Sequence, residues 1–202
     1  MSNINNIYNN CILSNISIIK YNNKKYNIKY DNKSFVIDPN ISFSNCKLCK
    51  NNNIYSIKIN INLLNIKHIE FKDFIDKLRN RLSICMGKEE NLIIDELCNP
   101  ISNNKDLIQN TKLFYTTINN DCKILNIETD ENIELSILQN KLFNMYPIFY
   151  PPTLNIWNNK VYINFTLYKI YVKFVSDINK ELNKKLNYEP NKQSVLDSMK
   201  NI

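Results

Sequence analysis

Among 202 residues there are one glycine, one histidine, one tryptophan, two arginines and no alanine. Each scarcity removes a kind of chemistry. A lone Gly87 cannot build the loops that cradle phosphates, because GxGxxG and GxxxxGKS/T each need several positions without a Cβ. A Ser-His-Asp or Cys-His enzyme would depend on His68, which has no nucleophile motif around it and is expected to be structural. The six cysteines include one CxxC, Cys46-Lys47-Leu48-Cys49, while Cys11, Cys85, Cys98 and Cys122 stand alone. Zinc takes about four ligands, usually from a second such pair, so Cys46 and Cys49 are expected to be ordinary thiols in a loop. The acidic pairs Glu89-Glu90, Asp95-Glu96 and Asp130-Glu131 read as solvated loops rather than a magnesium site. No run approaches ~18 consecutive apolar residues, so no membrane span is expected. The opening MSNINNIYNN lacks the basic-then-apolar order of a secretory signal, so the thiols are expected in a reducing compartment, cytosolic or nuclear. The expectation is a non-enzymatic protein with no cofactor and no metal.

What is abundant is asparagine, isoleucine, lysine and tyrosine, a bias that follows AT-rich codons. A hydrophobic content of 44% fills a core, so global disorder is excluded. The net charge of +7 is uneven. Residues 1–82 carry a net of +8, residues 83–135 a net of −6 and residues 136–202 a net of +5. Two basic thirds around an acidic one favour a polyanionic partner, with codon-driven lysine as the competing explanation.

Along the chain, Ile12, Ile16 and Ile18 alternate, and so do Tyr26, Ile28 and Tyr30 against Lys25, Asn27 and Lys29. These are β patterns, and Asp31-Asn32-Lys33 is a turn before a short strand over Ser34 to Asp38 that Pro39 ends. Tyr55 to Leu63 alternates most cleanly, with Lys58 on the polar side. The period then changes, because Phe71, Phe74, Ile75, Leu78, Leu82 and Cys85 recur at helical spacing. Glu70 and Asp73 are placed in that helix's first turn, Arg79 and Arg81 near its end as dipole-compensating cations, and Gly87 as a left-handed C-cap. Leu113 to Ile118 and Lys123 to Glu128 read as two short strands around Asn119-Asn120-Asp121. Ile133 to Tyr146 reads as a second amphipathic helix and Ser176 to Leu186 as a third.

The stretch from Tyr150 to Phe174 carries the strongest pattern. Leu154 and Ile156 oppose Thr153, Asn155 and Trp157, then Asn158-Asn159 supplies residues that enter the left-handed region cheaply, as a tight hairpin requires. The return run sets Val161, Ile163, Phe165 and Leu167 against Tyr162, Asn164, Thr166 and Tyr168. After Leu167 the apolar residues change parity to Ile170, Val172 and Phe174, which one extra residue in a bulge near Tyr168 would repair. The polar side then carries Trp157, Tyr162, Tyr168 and Tyr171 among Lys169 and Lys173. Rings that stack on bases, beside cations that follow phosphates, are what single-stranded nucleic acid needs. The same tyrosine-rich face also suits a protein partner, the alternative reading, as in a virion or transcription-complex component.

The run Ile163 to Val172, preceded by Pro151-Pro152, a short strand and a turn with Lys160, resembles the last strand pair of the poxvirus single-stranded-DNA-binding phosphoprotein and its relatives in large cytoplasmic DNA viruses. The order of elements before it is similar in outline from about residue 10, and an AT-rich viral genome accounts for the composition. The resemblance implies an α+β fold with an OB-like mixed β-barrel core and two to three peripheral amphipathic helices. One nucleic-acid-binding domain is placed over residues 1–186 and a frayed tail over 187–202. That tail has a net charge of zero, where such proteins often carry an acidic one. The function implied is sequence-independent coating of single-stranded DNA in replication, recombination or repair, in the host cytoplasm. Viral replication proteins and cooperative self-association on DNA are the further partners implied, with RNA left open. On this reading Trp157, Tyr162, Tyr168 and Tyr171 stack on bases, and Lys24, Lys25, Lys29, Lys58, Lys160, Lys169 and Lys173 neutralise phosphates.

Overall fold

The computed structural model describes residues 5–8, 12–88, 96–103 and 110–175. The chain begins with β1 (Asn5–Asn6), a 3-10 turn at Leu13–Asn15, β2 (Ile16–Asn22), β3 (Lys25–Tyr30) and β4 (Phe35–Val36). Next come β5 (Phe43–Asn51), β6 (Ile54–Asn62) and the helix α1 (Ile66–Met86). The strands β7 (Glu96–Cys98), β8 (Ile101–Asn103) and β9 (Thr111–Asn126) precede a 3-10 turn at Leu135–Leu138. The last four are β10 (Leu142–Phe149), β11 (Thr153–Trp157), β12 (Lys160–Asn164) and β13 (Thr166–Phe174).

Five strands close a barrel. Their order is β13, β10, β5, β6, β9, and β9 pairs back onto β13, with β8 added beside β9. Numbered one to five along the chain, the barrel strands run 1-2-3-5-4 around the wall, with three and five parallel. This is an OB-like α+β fold. The alternation of each strand sends Phe43, Ile57, Ile59, Phe114, Phe143, Met145, Phe149, Leu167, Ile170 and Val172 to the interior.

A second sheet runs β2, β3, β11, β12, β7, and α1 packs on both β2 and β6. Phe71 of α1 meets the rings of Phe43, Phe114 and Phe149 with centroids 5.3, 5.7 and 6.1 Å away. Phe165 closes the cluster on Phe114 and Phe149 at 5.1 and 6.0 Å, mostly edge to face as ring quadrupoles prefer. The two sheets share one ribbon. Where β10 passes into β11 through Pro151-Pro152, β12 passes into β13 through the buried Phe165. Phe165 is fixed there because its carbonyl accepts from Thr117 N–H at 2.9 Å and from Thr116 Oγ1 at 2.9 Å.

The Asn158-Asn159 hairpin forms as expected, with φ of 48° and 56°. The bulge also falls where the parity change places it. Ile148 pairs with Lys169 and Phe149 with Leu167, which leaves Tyr168 unpaired.

Several expectations are overturned. Residues 133–146 form no α-helix, only a 3-10 turn and then β10, whose buried residues alternate as Phe143, Met145, Pro147 and Phe149. The ladder with β5 on one side of it stops at Met145, before Pro147 would interrupt it. Residues 111–126 are one strand rather than two. Asn119, Asn120 and Asp121 lie in the stretch 119–122 that bows out opposite the single Tyr168 on β13. The helix begins at Ile66, capped by Asn65, so Glu70 and Asp73 fall in its second turn. Gly87 ends it at φ −65°, in the right-handed region, so the expected left-handed cap is absent. Cys46 and Cys49 lie on strand β5 and not in a loop. The third helix expected over Ser176 to Leu186 and the tail over 187–202 lie outside the described residues.

Candidate nucleic-acid interface

The outer side of the second sheet gathers part of the expected site. With Tyr26 and Ile28 buried, β3 turns Lys25, Asn27 and Lys29 outward. On β11 and β12 the same alternation turns out Thr153, Asn155 and Trp157, then Lys160, Tyr162 and Asn164. Register aligns Lys25 with Asn155 and Asn155 with Tyr162, so three strands present one continuous surface. Trp157 pairs with Lys160 beside the turn and is 65% exposed. Lys24 is brought to the same end, where its carbonyl accepts Ile156 N–H at 2.8 Å. Lys25 Nζ lies 5.6 Å from the Tyr21 ring centre, and Lys29 Nζ donates to Ser34 Oγ at 3.3 Å. Lys160 is bound to Glu96 at 3.0 Å, and that hydrogen bond raises its pKa.

A second surface is the outer side of the barrel across β5, β6 and β9. Lys47 pairs with Lys58, and Lys58 with Tyr115, which is 49% exposed. One step along, Ser56 pairs with Thr117, whose Oγ1 lies 3.0 Å from Thr166 Oγ1 on β13. Thr166 follows Phe165 and Asn164, so this row runs into the outer face of the hairpin. Lys24, Lys25, Lys29, Lys47 and Lys58 make no ion pair among the described residues.

The remaining expected residues lie elsewhere, on β13 beside β10. Tyr171 pairs with Tyr146, Lys173 with Asn144 and Lys169 with Ile148. Tyr146, Ile148 and Tyr171 line a cleft of about 320 Å³ with Ile127, Asp38 and Asn40. Lys169 Nζ donates to Tyr171 Oη, Lys173 is bound to Glu128 at 2.8 Å, and Tyr168 packs edge to face on Tyr150 at 5.0 Å. The single aromatic face expected from the sequence is therefore bent in two. The ribbon turns at Pro151-Pro152 and Phe165, which parts Trp157 and Tyr162 from Tyr171, Lys169 and Lys173.

Tyr115 and Tyr146 were not among the expected site residues. Tyr146 was hidden by the helical reading of its segment, and Tyr115 gains its lysine neighbour only through cross-strand pairing with Lys58. The two arginines serve the fold. Arg79 donates twice to Leu97 C=O, at 3.0 and 2.8 Å, tying α1 to β7. Arg81 donates to Ser14 C=O at 2.6 Å and to Ile16 C=O at 3.1 Å, tying it to β2. Both anchor backbone, in place of the dipole compensation expected of them. His68 is buried, accepting Asn62 N–H at Nδ1 and donating from Nε2 to Ser42 C=O.

No family model matches the sequence, and no curated protein matches it significantly. Among solved structures the chain is similar to the single-stranded DNA-binding protein from bacteriophage Enc34, at 12% identity and a TM-score of 0.45, covering 77% of this chain and 88% of that one. A C-terminal truncation of the phage protein gives 12% and 0.46, over 80% and 94% of the two chains. Its complex with single-stranded DNA gives 12% and 0.44, over 79% and 95%.

Proposed function

We propose that this protein binds single-stranded DNA and acts as a non-enzymatic coating protein. The observation that carries the reading is the placement of two exposed rings. Trp157 stands on the hairpin joining barrel strands four and five, and Tyr115 on the outer side of strands two and three. These are the surfaces on which OB folds take up oligonucleotides, and both carry lysines with no carboxylate partner among the described residues. Rings supply sequence-tolerant stacking, while lysine supplies charge without the bidentate geometry that reads guanine. The setting we assign, from the resemblance of residues 163–172, is replication of a large cytoplasmic DNA virus in the host cytoplasm. There the protein would coat exposed strands, associate with itself along them and meet other replication proteins.

Five lysines on the two surfaces are without an ion pair among the described residues. If each displaces one counterion from a single strand, the slope of log K against log salt is about −3.5, and affinity falls roughly a hundredfold between about 50 and about 200 mM salt. Fluorescence anisotropy with labelled oligo-dT of about 30 nucleotides, beside a duplex and an RNA competitor, tests this. Tight single-strand binding with that slope and weak duplex binding is the expected result. Absence of binding at low salt overturns the reading, and a flat salt dependence assigns the aromatic surfaces to a protein partner instead.

A further inference from the structure

Tyr21 is 67% exposed and lies outside the core. On β2, Lys20 pairs with Tyr26 and Asn22 with Lys25, which makes Tyr21 the extra residue of a bulge. A bulge breaks strict alternation and re-aims a side chain. Here it sets Tyr21 on the outer side of the second sheet, where Lys25 Nζ lies 5.6 Å from its ring centre. The pairings then run in one row across four strands. Tyr162 is opposite Asn155, Asn155 is opposite Lys25, and Lys25 is opposite Asn22 beside the bulged Tyr21. The row begins and ends on a ring, with an amide and an ammonium between. The two edges of this sheet differ in charge. β7 brings Glu96, which is bound to Lys160, whereas residues 16–30, spanning β2 and β3, hold four lysines and no carboxylate.

We infer that Tyr21 is a further base-stacking residue and that the bound strand leaves the second sheet over its β2 edge, an inference that rests on the single-strand reading above. A polyanion crossing this sheet is repelled at the Glu96 edge and drawn to the opposite one, where Lys24 and Lys25 hold phosphates beside the ring. Three strand steps of about 4.8 Å put the backbones of Tyr21 and Tyr162 roughly 14 Å apart, too far for one base to bridge, so each ring takes a base of its own. The β2–β3 hairpin is not part of the five-stranded barrel. The binding surface therefore extends beyond the barrel face, onto a hairpin added to the fold.

The test is anisotropy with labelled oligo-dT of about 30 nucleotides, comparing full-length wild type with Tyr21→Ala and Tyr21→Phe. Alanine removes the stacking face and phenylalanine keeps it. Because the ring is exposed and outside the core, both variants are expected to keep the wild-type thermal midpoint, which is measured alongside. Tyr21→Ala is expected to weaken binding by at least about fivefold, the lower bound for one stacked base. Its salt slope is expected to match wild type, since no charge is lost. Tyr21→Phe is expected to bind within about twofold of wild type. Binding by Tyr21→Ala within about twofold of wild type overturns the inference and leaves the single-strand reading intact. So does an equal loss in Tyr21→Phe, which would assign the effect to the hydroxyl and not to stacking. Failure of the wild type itself to bind overturns both.

Discussion

Removing Trp157 separates binding from folding more cleanly than any other single change. The ring is 65% exposed at the end of β11, and it is not part of the core. Its backbone is set by the pairing of Trp157 with Lys160 and by the two left-handed asparagines of the turn, none of which requires an indole. Trp157→Ala is therefore expected to change stability by no more than about 0.5 kcal/mol, the usual range for exposed positions. If the ring stacks on a base, its loss costs about 1–3 kcal/mol of binding, which is about 5- to 150-fold in Kd. Tyr115→Ala is expected to act in the same range, and because the two rings lie on different sheets their effects should add. Tyr168→Ala is the contrast. That ring is already packed on Tyr150, a contact worth about 0.5–1.5 kcal/mol, so its loss should appear in the melting temperature.

The assay is anisotropy with oligo-dT, paired with thermal unfolding of each variant. As the sole tryptophan, Trp157 is also its own reporter, and its emission should be quenched as the strand binds. A Kd within twofold of wild type for a Trp157→Ala protein of unchanged melting temperature would refute the reasoning. So would Trp157 emission indifferent to saturating DNA.

Glu96→Gln releases Lys160 from its carboxylate partner, so binding should tighten and the salt slope should steepen by about 0.7, as read by the same titration. Phe114→Ala, at a fully buried position within the ring cluster, should cost about 3–5 kcal/mol, measured as a fall in the denaturant midpoint. Burial pushes the Cys46 thiol up to about 12, so at pH 8.5 it stays protonated and should resist iodoacetamide until the chain is unfolded, as peptide mapping would reveal.

Local patterns carried much of the fold. The apolar parity change after Leu167 fixed the bulge at Tyr168, because a strand can bury both sets of residues only by inserting one. Asn158-Asn159 marked its hairpin because two consecutive left-handed residues are cheap for asparagine. The helical reading of residues 133–146 failed for an equally physical reason. Ile133, Ile137, Leu138, Leu142 and Met145 fit a period of 3.6, but the buried set in β10 is Phe143, Met145, Pro147 and Phe149, with Leu142 exposed. Once β5 and β13 offered ladders on either side, tertiary pairing outweighed local period. Asn119-Asn120-Asp121 read as a turn because those residues favour turns, yet their strand runs on to exchange β6 for β13 as its partner. The site was less legible than the fold. Lys58 and Tyr115 are 57 positions apart and meet only by register, and the bend that parts Trp157 from Tyr171 follows from closing the barrel.

The division of labour among polar side chains follows from the same scarcity that marks the sequence. Both arginines are committed to main-chain carbonyls that hold α1 to its neighbours, which leaves lysine as the cation at the surface. Lysine follows phosphates as a point charge and reads bases weakly. Any discrimination between bases then falls to groups with fixed donors and acceptors, and asparagine is the abundant residue of that kind. Where asparagines cap a helix or close a turn, the backbone has already oriented the amide, so no further ordering is needed when a base arrives. Asn62 and Asn65 meet that condition at the edge of the barrel face, beside Lys58. A composition biased toward asparagine and lysine thus fits the proposed single-strand reading, with charge that tolerates any sequence and side-chain amides whose orientation the backbone has already fixed.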